Sequence, residues 1–189
     1  MNMHQLKKYR YLFFIAIVFE FTAVSTSFAQ QKLRVIILRH AEKPDQGDNL
    51  SCTGLNRALK LPAVINAKFG VPNYAYVPAP TVGKATKSLR MLQTISPLAV
   101  KYNLTLNTNY EVEDTKKLAA NILKKSGTVI VVWEHNNIAD IISALGVDTK
   151  KLKWKGDDFD SLWIVTINGS KTQLTQDVQG IHPAAGCPF

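Results

Sequence analysis

Residues 33–40 of this 189-residue chain read LRVIILRH. Positions 33–38 are almost continuously apolar and rich in β-branched side chains, which is typical of a strand buried on both faces. Arg39 and His40 follow at once, so they are expected just beyond the carboxyl end of that strand. Open α/β sheets place ligands and chemistry at this end. The stretch therefore predicts a buried strand and a candidate site together.

A second stretch repeats this arrangement further along the chain. Residues 128–133 read TVIVVW, and Glu134 and His135 come directly after them. A histidine is again expected just past the carboxyl end of a buried strand. A single histidine in such a place is more often structural, but two at matching strand ends favour a shared site.

The rest of the chain alternates between strand and helix patterns. Further strands are predicted at residues 73–77 and 161–167. Two helices are predicted to contain a proline: one begins at Thr53 and bends or restarts at Pro62, and one covers about residues 88–102 with an interruption at Pro97. Two more helices are predicted from their caps: one runs from Asp114 to Lys125, and one begins at Asn136 or Asn137. This alternation predicts a three-layer α/β/α sandwich with a mostly parallel central sheet.

Length and composition restrict the class of protein. A chain of 189 residues forms about one domain, and 46% hydrophobic with 20% charged residues excludes disorder and fibrous repeats. Two cysteines are too few for a disulfide-stapled mini-scaffold or an all-cysteine metal site. In an oxidising compartment Cys52 and Cys187 could form a bridge, but two independent thiols fit their spacing equally well.

The first residues are typical of an export signal. Three basic residues among the first ten precede an apolar run at 11–19, and Ser27 and Ala29 supply small residues before a cleavage point. An uncleaved anchor is disfavoured because the apolar run is short and Glu20 interrupts it. We therefore expect a signal peptide at residues 1–29, a domain at residues 30–189, a periplasmic or secreted location, and no stable membrane insertion after cleavage.

The net charge of +9 raises the question of whether the protein binds nucleic acid. Part of this charge belongs to the signal. Another part lies at residues 150–155, where four lysines surround Trp154. A single aromatic residue offers little surface on which bases could stack, and an exported protein seldom meets nucleic acid. A solvated loop is therefore the better interpretation of this stretch. We expect no nucleic-acid partner.

The residues at the two strand ends suit phosphate chemistry. A guanidinium such as that of Arg39 matches phosphate oxygens, a neutral imidazole can attack phosphorus, and a second, cationic imidazole can stabilise the transferred group. A zinc site is disfavoured because no carboxylate or histidine lies at helical i, i+4 spacing to either histidine. A serine hydrolase is disfavoured because the G-x-S-x-G motif is absent from the sequence.

Four short motifs in order resemble the histidine phosphatase superfamily, which includes the phosphoglycerate mutases. Residues 38–43 (LRHAEK) are similar to its Arg-His-Gly signature, with Ala41 in place of glycine. Leu50 and Ser51 with Gly54 and Ala58 resemble its L-T-x-x-G-x-x-x-A helix entry, residues 88–94 (SLRMLQT) its S-x-x-x-R-x-x-Q-T segment, and residues 133–135 (WEH) its second histidine.

The resemblance implies a phosphoglycerate mutase-like fold and a role for each matching residue. His40 would be the nucleophile that becomes phosphohistidine, and Arg39, Arg90 and His135 would complete the phosphate pocket. Lys43 is a further candidate phosphate contact. No metal and no organic cofactor would be needed, because arginine and imidazole supply the positive charge.

The general acid is not singled out by any motif. The family's usual acid is a glutamate between the second arginine and the second histidine, and in that interval the chain has Glu111, Glu113 and Asp114. Asp114 is better explained as a helix cap. Glu42 and Glu134 rank first because they lie next to the two histidines.

The expected function is metal-independent hydrolysis of a small phosphorylated substrate through a phosphohistidine. A non-catalytic phosphate-binding module on the same fold is the alternative. A phosphoglycerate mutase-type phosphotransferase fits less well, because it usually needs longer insertions and cytoplasmic substrates. The loops at residues 44–49, 78–87 and 148–160 would shape the leaving-group pocket, while His182 lies in an aperiodic tail outside the predicted site.

Overall fold

The structure, a computed structural model, describes residues 32–80 and 85–189. The predicted signal peptide and part of the predicted loop at 78–87 lie outside the described residues. The elements are β1 (Leu33–Arg39), α1 (Cys52–Phe69), β2 (Tyr74–Tyr76), α2 (Ala85–Tyr102), β3 (Leu106–Asn107), α3 (Thr115–Ile122), β4 (Gly127–Trp133), α4 (His135–Ala144), β5 (Ser161–Asn168) and β6 (Lys171–Val178). Within those ranges no helix has the length and apolar character of a membrane span.

The strands form one six-stranded sheet in the order β3-β2-β4-β1-β5-β6. Neighbours among β3, β2, β4 and β1 are parallel, whereas β5 is antiparallel to both β1 and β6. Because β5 alone runs against the others, the prediction of a mostly parallel sheet is confirmed.

Helices cover both faces of this sheet. Val35 and Ile37 of β1 belong to the buried cluster that also holds side chains of α3 and α4. Ile36 and Leu38 belong to the cluster with side chains of α1 and α2. Since successive residues of a strand point to opposite faces, a fully apolar strand is required here, and the three-layer sandwich follows.

The topology places the two histidine-bearing strand ends side by side. β1 and β4 pair in parallel over their whole length, and the register ends with Arg39 opposite Trp133. His40 and His135 therefore emerge from adjacent strands at the same edge of the sheet.

The turn after β1 is clamped by the start of α1. The backbone and hydroxyl of Ser51 both donate to the carbonyl oxygen of Glu42, at 2.9 and 3.2 Å, and Ser51 also caps α1. A Cβ on Gly54 would lie 2.1 Å from that same oxygen. Only glycine fits this approach, which ties the segment after His40 to the helix.

The carboxyl-terminal tail is bonded to the same helix. Cys52, in the first turn of α1, forms a disulfide with Cys187. The side-chain amide of Asn56 also donates to the carbonyl oxygens of Ala184 and Gly186 at 2.9 and 2.6 Å. Of the two states that the sequence left open, the structure has the bridge.

Several element boundaries differ from the predicted ones. The cap of α4 is Glu134, whose carboxylate accepts from the backbone of Asn136, so the prediction of Asn136 or Asn137 as cap was wrong. Asp114 occupies the cap position of α3 but makes no capping hydrogen bond, and α3 ends at Ile122 rather than Lys125. Neither β3 nor β6 was predicted, because both are edge strands with few buried side chains.

Candidate active site

His40 presents one ring nitrogen to the site. The residue is 5% exposed, and its Nδ1 lies 2.7 Å from the carbonyl oxygen of Ala41. A carbonyl oxygen only accepts, so Nδ1 carries the proton and the lone pair of the neutral ring is on Nε2. This tautomer leaves Nε2 as the nucleophilic atom.

The surroundings of His40 keep its imidazole neutral. The pKa of His40 is lowered to about 4, mainly by burial and further by the charges of Arg39, Arg90 and His135, against the opposing effect of the Ala41 hydrogen bond. The ring is therefore neutral at pH 7, and its Nε2 can act as a nucleophile. The other three residues that the resemblance singled out therefore lie within electrostatic reach of His40.

Arg39 is held by the segment that precedes β5. Its Nη1 lies 2.6 Å from the carbonyl oxygen of Gly156 and 3.4 Å from those of Lys155 and Asp158. Its Nε is buried and has no hydrogen-bond partner among the described residues. A buried donor without an acceptor is costly, and an anionic oxygen in the site would satisfy it.

Arg90 reaches the site from α2. Its Nη2 donates to the carbonyl oxygen of Gly47, its Nε donates to that of Asn49 at 3.3 Å, and Asp48 lies 3.7 Å away. The predicted specificity loop at residues 44–49 is thus folded against this guanidinium. The backbone of Arg90 is in turn linked to the turn at Ala41, because Thr94 accepts from the Ala41 nitrogen and donates to the Arg90 carbonyl.

His135 and Glu134 form a pair at the end of β4. The Nδ1 of His135 lies 2.7 Å from a Glu134 oxygen, in an electrostatic contact between adjacent residues that lacks hydrogen-bond geometry. Burial lowers the pKa of His135 and Arg39 adds to this effect, while Glu134 opposes it. The lowered pKa disfavours the cationic form of His135 that was expected from the sequence, whereas a bound anion would favour it.

Glu42 is engaged away from the nucleophile. Both of its oxygens accept from Nε of Arg57, at 2.9 and 3.0 Å, and the Nη2 of Arg57 lies 2.9 Å from one of them. The Nη1 of Arg57 donates to Asp160 at 2.7 Å and contacts Gln179 at 3.3 Å. The Glu42 carboxylate is therefore occupied by its contacts with the Arg57 guanidinium.

Three of the remaining candidates are exposed side chains. Lys43 is exposed on the loop after β1, and Glu111 and Glu113 are exposed on the turn before α3. Asp114 accepts from the Glu111 nitrogen at 3.2 Å and pairs with Lys117 at 2.7 Å, and both contacts lower its pKa. The contacts of Asp114 are therefore with its own turn and with the first turn of α3.

Two further predicted features have clear positions. His182 is exposed on the tail that follows β6. Trp154 is buried against Trp163, with ring centroids 4.8 Å apart, and donates to the carbonyl oxygen of Asp158 at 2.8 Å. The aromatic residue of the lysine-rich stretch is thus part of the core. In the described part of the chain, no group of three or more His, Cys, Asp or Glu side chains could hold a metal ion.

Solved structures share this architecture. A phosphohistidine phosphatase of the SixA type from Nakamurella multipartita is 12% identical, with a TM-score of 0.52 over 82% of this chain and 98% of the other. An α-ribazole-5′-phosphate phosphatase from Escherichia coli K-12 is 11% identical, with a TM-score of 0.56 over 83% and 98%. A mycobacterial glucosyl-3-phosphoglycerate phosphatase, solved with inorganic phosphate, is 15% identical, with a TM-score of 0.52 over 77% and 95%.

The chain has the histidine phosphatase fold. Its sequence matches no family model and no curated protein, so the evidence for the fold is structural, together with the short motifs. At these identities the likeness establishes the architecture, and the function has to be argued from the side chains of this chain.

Two residues around the candidate site were missed by sequence reasoning. Arg57 is 6% exposed and lies among the buried positions of α1, where a charge in an apolar stripe was a usable signal. Phe159 packs its ring 4.0 Å from the guanidinium carbon of Arg39, and no local pattern indicates this contact.

Proposed function

We propose that this chain is a phosphomonoester hydrolase that works through a phosphohistidine on His40. The observation that carries the proposal is the hydrogen bond from Nδ1 of His40 to the Ala41 carbonyl, which leaves Nε2 as an unprotonated nucleophile beside two guanidinium groups. Both the fold and the phosphatases that share it support the same reaction class. The physiological substrate is then a small phosphorylated molecule.

The first step transfers the phosphoryl group to the protein. Nε2 of His40 forms a bond to phosphorus while the bond from phosphorus to the leaving oxygen breaks. Arg39 and Arg90 stabilise the charge on the equatorial oxygens, and the unsatisfied Nε of Arg39 gains an acceptor. The leaving oxygen takes a proton and departs as an alcohol.

The second step returns the protein to its starting state. Water attacks phosphorus, the bond to Nε2 breaks, and orthophosphate leaves while the water's proton is accepted by the group that first supplied one. We assign this acid–base role to Glu134 rather than Glu42. Glu134 lies beside His135 and is the largest carboxylate influence on Arg39, whereas Glu42 is occupied by Arg57.

Hydrolysis of p-nitrophenyl phosphate by the purified domain tests the proposal. We expect turnover that persists in EDTA and falls by at least about 10³-fold in His40→Ala, since the nucleophile is removed. Labelled phosphate should remain on the wild-type protein after quenching in alkali, where phosphoramidates are stable. His182→Ala is the matched control, because it removes an exposed histidine outside the site. Equal rates in wild type and His40→Ala would contradict the proposed nucleophile.

A phosphate-binding module remains the second candidate function. It is favoured by the engagement of Glu42 with Arg57, which removes one of the two leading acids. Calorimetry with orthophosphate separates the two functions. Binding without turnover, abolished by Arg90→Ala, supports the module, while turnover that depends on His40 supports the hydrolase.

We further propose that the domain works outside the cytoplasm after removal of residues 1–29. The basic, apolar and small-residue pattern of the amino terminus supports this location, as does the Cys52–Cys187 disulfide, since such bonds persist in oxidising compartments. Amino-terminal sequencing of protein recovered from the periplasm or medium should begin at Gln30. Recovery of the chain from the cytoplasm with residues 1–29 attached would contradict this.

A further inference from the structure

Phe159 lies between the two central residues of the candidate site. Its ring centroid is 4.0 Å from the guanidinium carbon of Arg39 and 6.1 Å from the ring centroid of His40. A guanidinium at this distance over an aromatic ring is attracted by the ring quadrupole, and the attraction grows when water is excluded. Arg39 is 2% exposed, so this contact is largely dry.

The segment that carries Phe159 also holds the edge of the same guanidinium. Carbonyl oxygens of Lys155, Gly156 and Asp158 all face Nη1 of Arg39. The Phe159 ring and the three carbonyl oxygens therefore hold the same guanidinium. Little rotamer freedom is left for binding to remove.

Phe159 is itself held from outside the segment. Its carbonyl oxygen accepts from the side-chain amide of Gln179 at 2.8 Å, and the oxygen of that amide contacts Arg57. One residue earlier, the Asp158 carboxylate accepts from the backbone nitrogens of Asp160 and Ser161, both at 3.0 Å. The ring is thus attached to a short, well-anchored piece of chain rather than to a free loop.

We propose that Phe159 is a positioning residue that presets the Arg39 guanidinium to receive the phosphoryl group. The inference rests on the proposed function, because it assigns Arg39 to the phosphate. Phe159 acts through Arg39, so its contribution should vanish when the guanidinium is absent. A ring of the same size should serve as well as phenylalanine.

A double-mutant cycle tests the coupling. The four proteins are wild type, Phe159→Leu, Arg39→Gln and the double variant, each measured for kcat/KM with p-nitrophenyl phosphate and for the Kd of orthophosphate. We expect Phe159→Leu to weaken both about five- to tenfold in the wild-type background and less than about twofold in the Arg39→Gln background. Phe159→Tyr should stay within about twofold of wild type, because the ring is retained.

Phe69→Leu is the matched control. Phe69 lies 5.9 Å from the guanidinium carbon of Arg34, at the far end of the same strand, so this variant removes a similar pair outside the site. It should leave kcat/KM and the Kd of orthophosphate unchanged. An equal effect of Phe159→Leu with and without Arg39, or no effect in either background, would overturn the positioning role.

Failure of the proposed function gives a different result. If His40→Ala hydrolyses as fast as wild type, the hydrolase proposal falls, while the cycle on orthophosphate binding still decides the role of Phe159. If wild type neither hydrolyses p-nitrophenyl phosphate nor binds orthophosphate, both proposals are overturned.

Discussion

The two ends of β1 carry the same pair of residue types in very different surroundings. Near the amino end, Arg34 is half-buried, its guanidinium carbon is 5.9 Å from the ring of Phe69, and it donates to the Phe69 carbonyl at 3.5 Å. At the carboxyl end, Arg39 is 2% exposed and 4.0 Å from the ring of Phe159. Only the second arginine keeps a buried donor without a partner in the described chain.

This difference shows what turns an arginine–aromatic contact into a candidate site. Residues after the carboxyl ends of β1 and β4 place His40 and His135 beside Arg39, and α2 adds Arg90. Positive charge is concentrated there, and the buried Nε of Arg39 has no acceptor in the described part of the chain. Arg34 has water and a backbone carbonyl available, so it needs no ligand.

The largest expected effect concerns the ion pairs that Arg57 forms with Glu42 and Asp160 near the carboxyl end of β1. Arg57→Met should lower the free energy of unfolding by about 3 kcal/mol, because it strands the carboxylates of Glu42 and Asp160. The control is Lys68→Met, which breaks the exposed pair with Asp177 next to Phe69 and should cost less than about 1 kcal/mol. Urea unfolding with the disulfide intact measures both. Equal losses of unfolding free energy in the two variants would show that the ion pairs of Arg57 stabilise the protein no more than the exposed Lys68–Asp177 pair does.

The next effect is catalytic and compares the two arginines directly. Arg39→Ala should lower kcat/KM for p-nitrophenyl phosphate about 100-fold, since a preorganised donor to the transition state is lost. Arg34→Ala should change it less than about twofold, because that side chain lies at the other end of the strand. Comparable losses in the two variants would mean that Arg39 acts on stability rather than on the phosphoryl group.

The fold was predictable where one continuous run of apolar side chains shows that a strand is buried. β1, β4 and β5 are fully apolar or nearly so, and each was found from its run of side chains. β6 was missed because it pairs with β5 alone and none of its side chains is buried, which is also true of a polar loop. The cap of α4 was misplaced because the carboxylate of Glu134 took the position that asparagines usually fill.

The candidate site was predictable to the extent that it follows strand ends. Arg39, His40 and His135 come directly after apolar runs, so the sheet topology brings them together. Arg57 and Phe159 act across the fold instead. Arg57 meets Asp160 at a separation of 103 residues, and no local pattern encodes such a contact. Distant partners of this kind depend on how the loops close over the sheet.

The smallest effect is the pH dependence of stability that His40 should contribute at the carboxyl end of β1. Burial lowers the pKa of His40 to about 4 from an unfolded value near 6.5, so between these values the unfolded chain binds more protons. Stability should therefore rise with pH across this window and level off above it. Lowering the pH from 7 to 6 should cost somewhat less than about 1 kcal/mol through this group. His40→Gln removes the titrating ring and should flatten the slope, whereas Arg34→Ala should leave it unchanged. Urea unfolding at several pH values measures the slope, and a His40→Gln profile parallel to that of wild type would place the titration elsewhere.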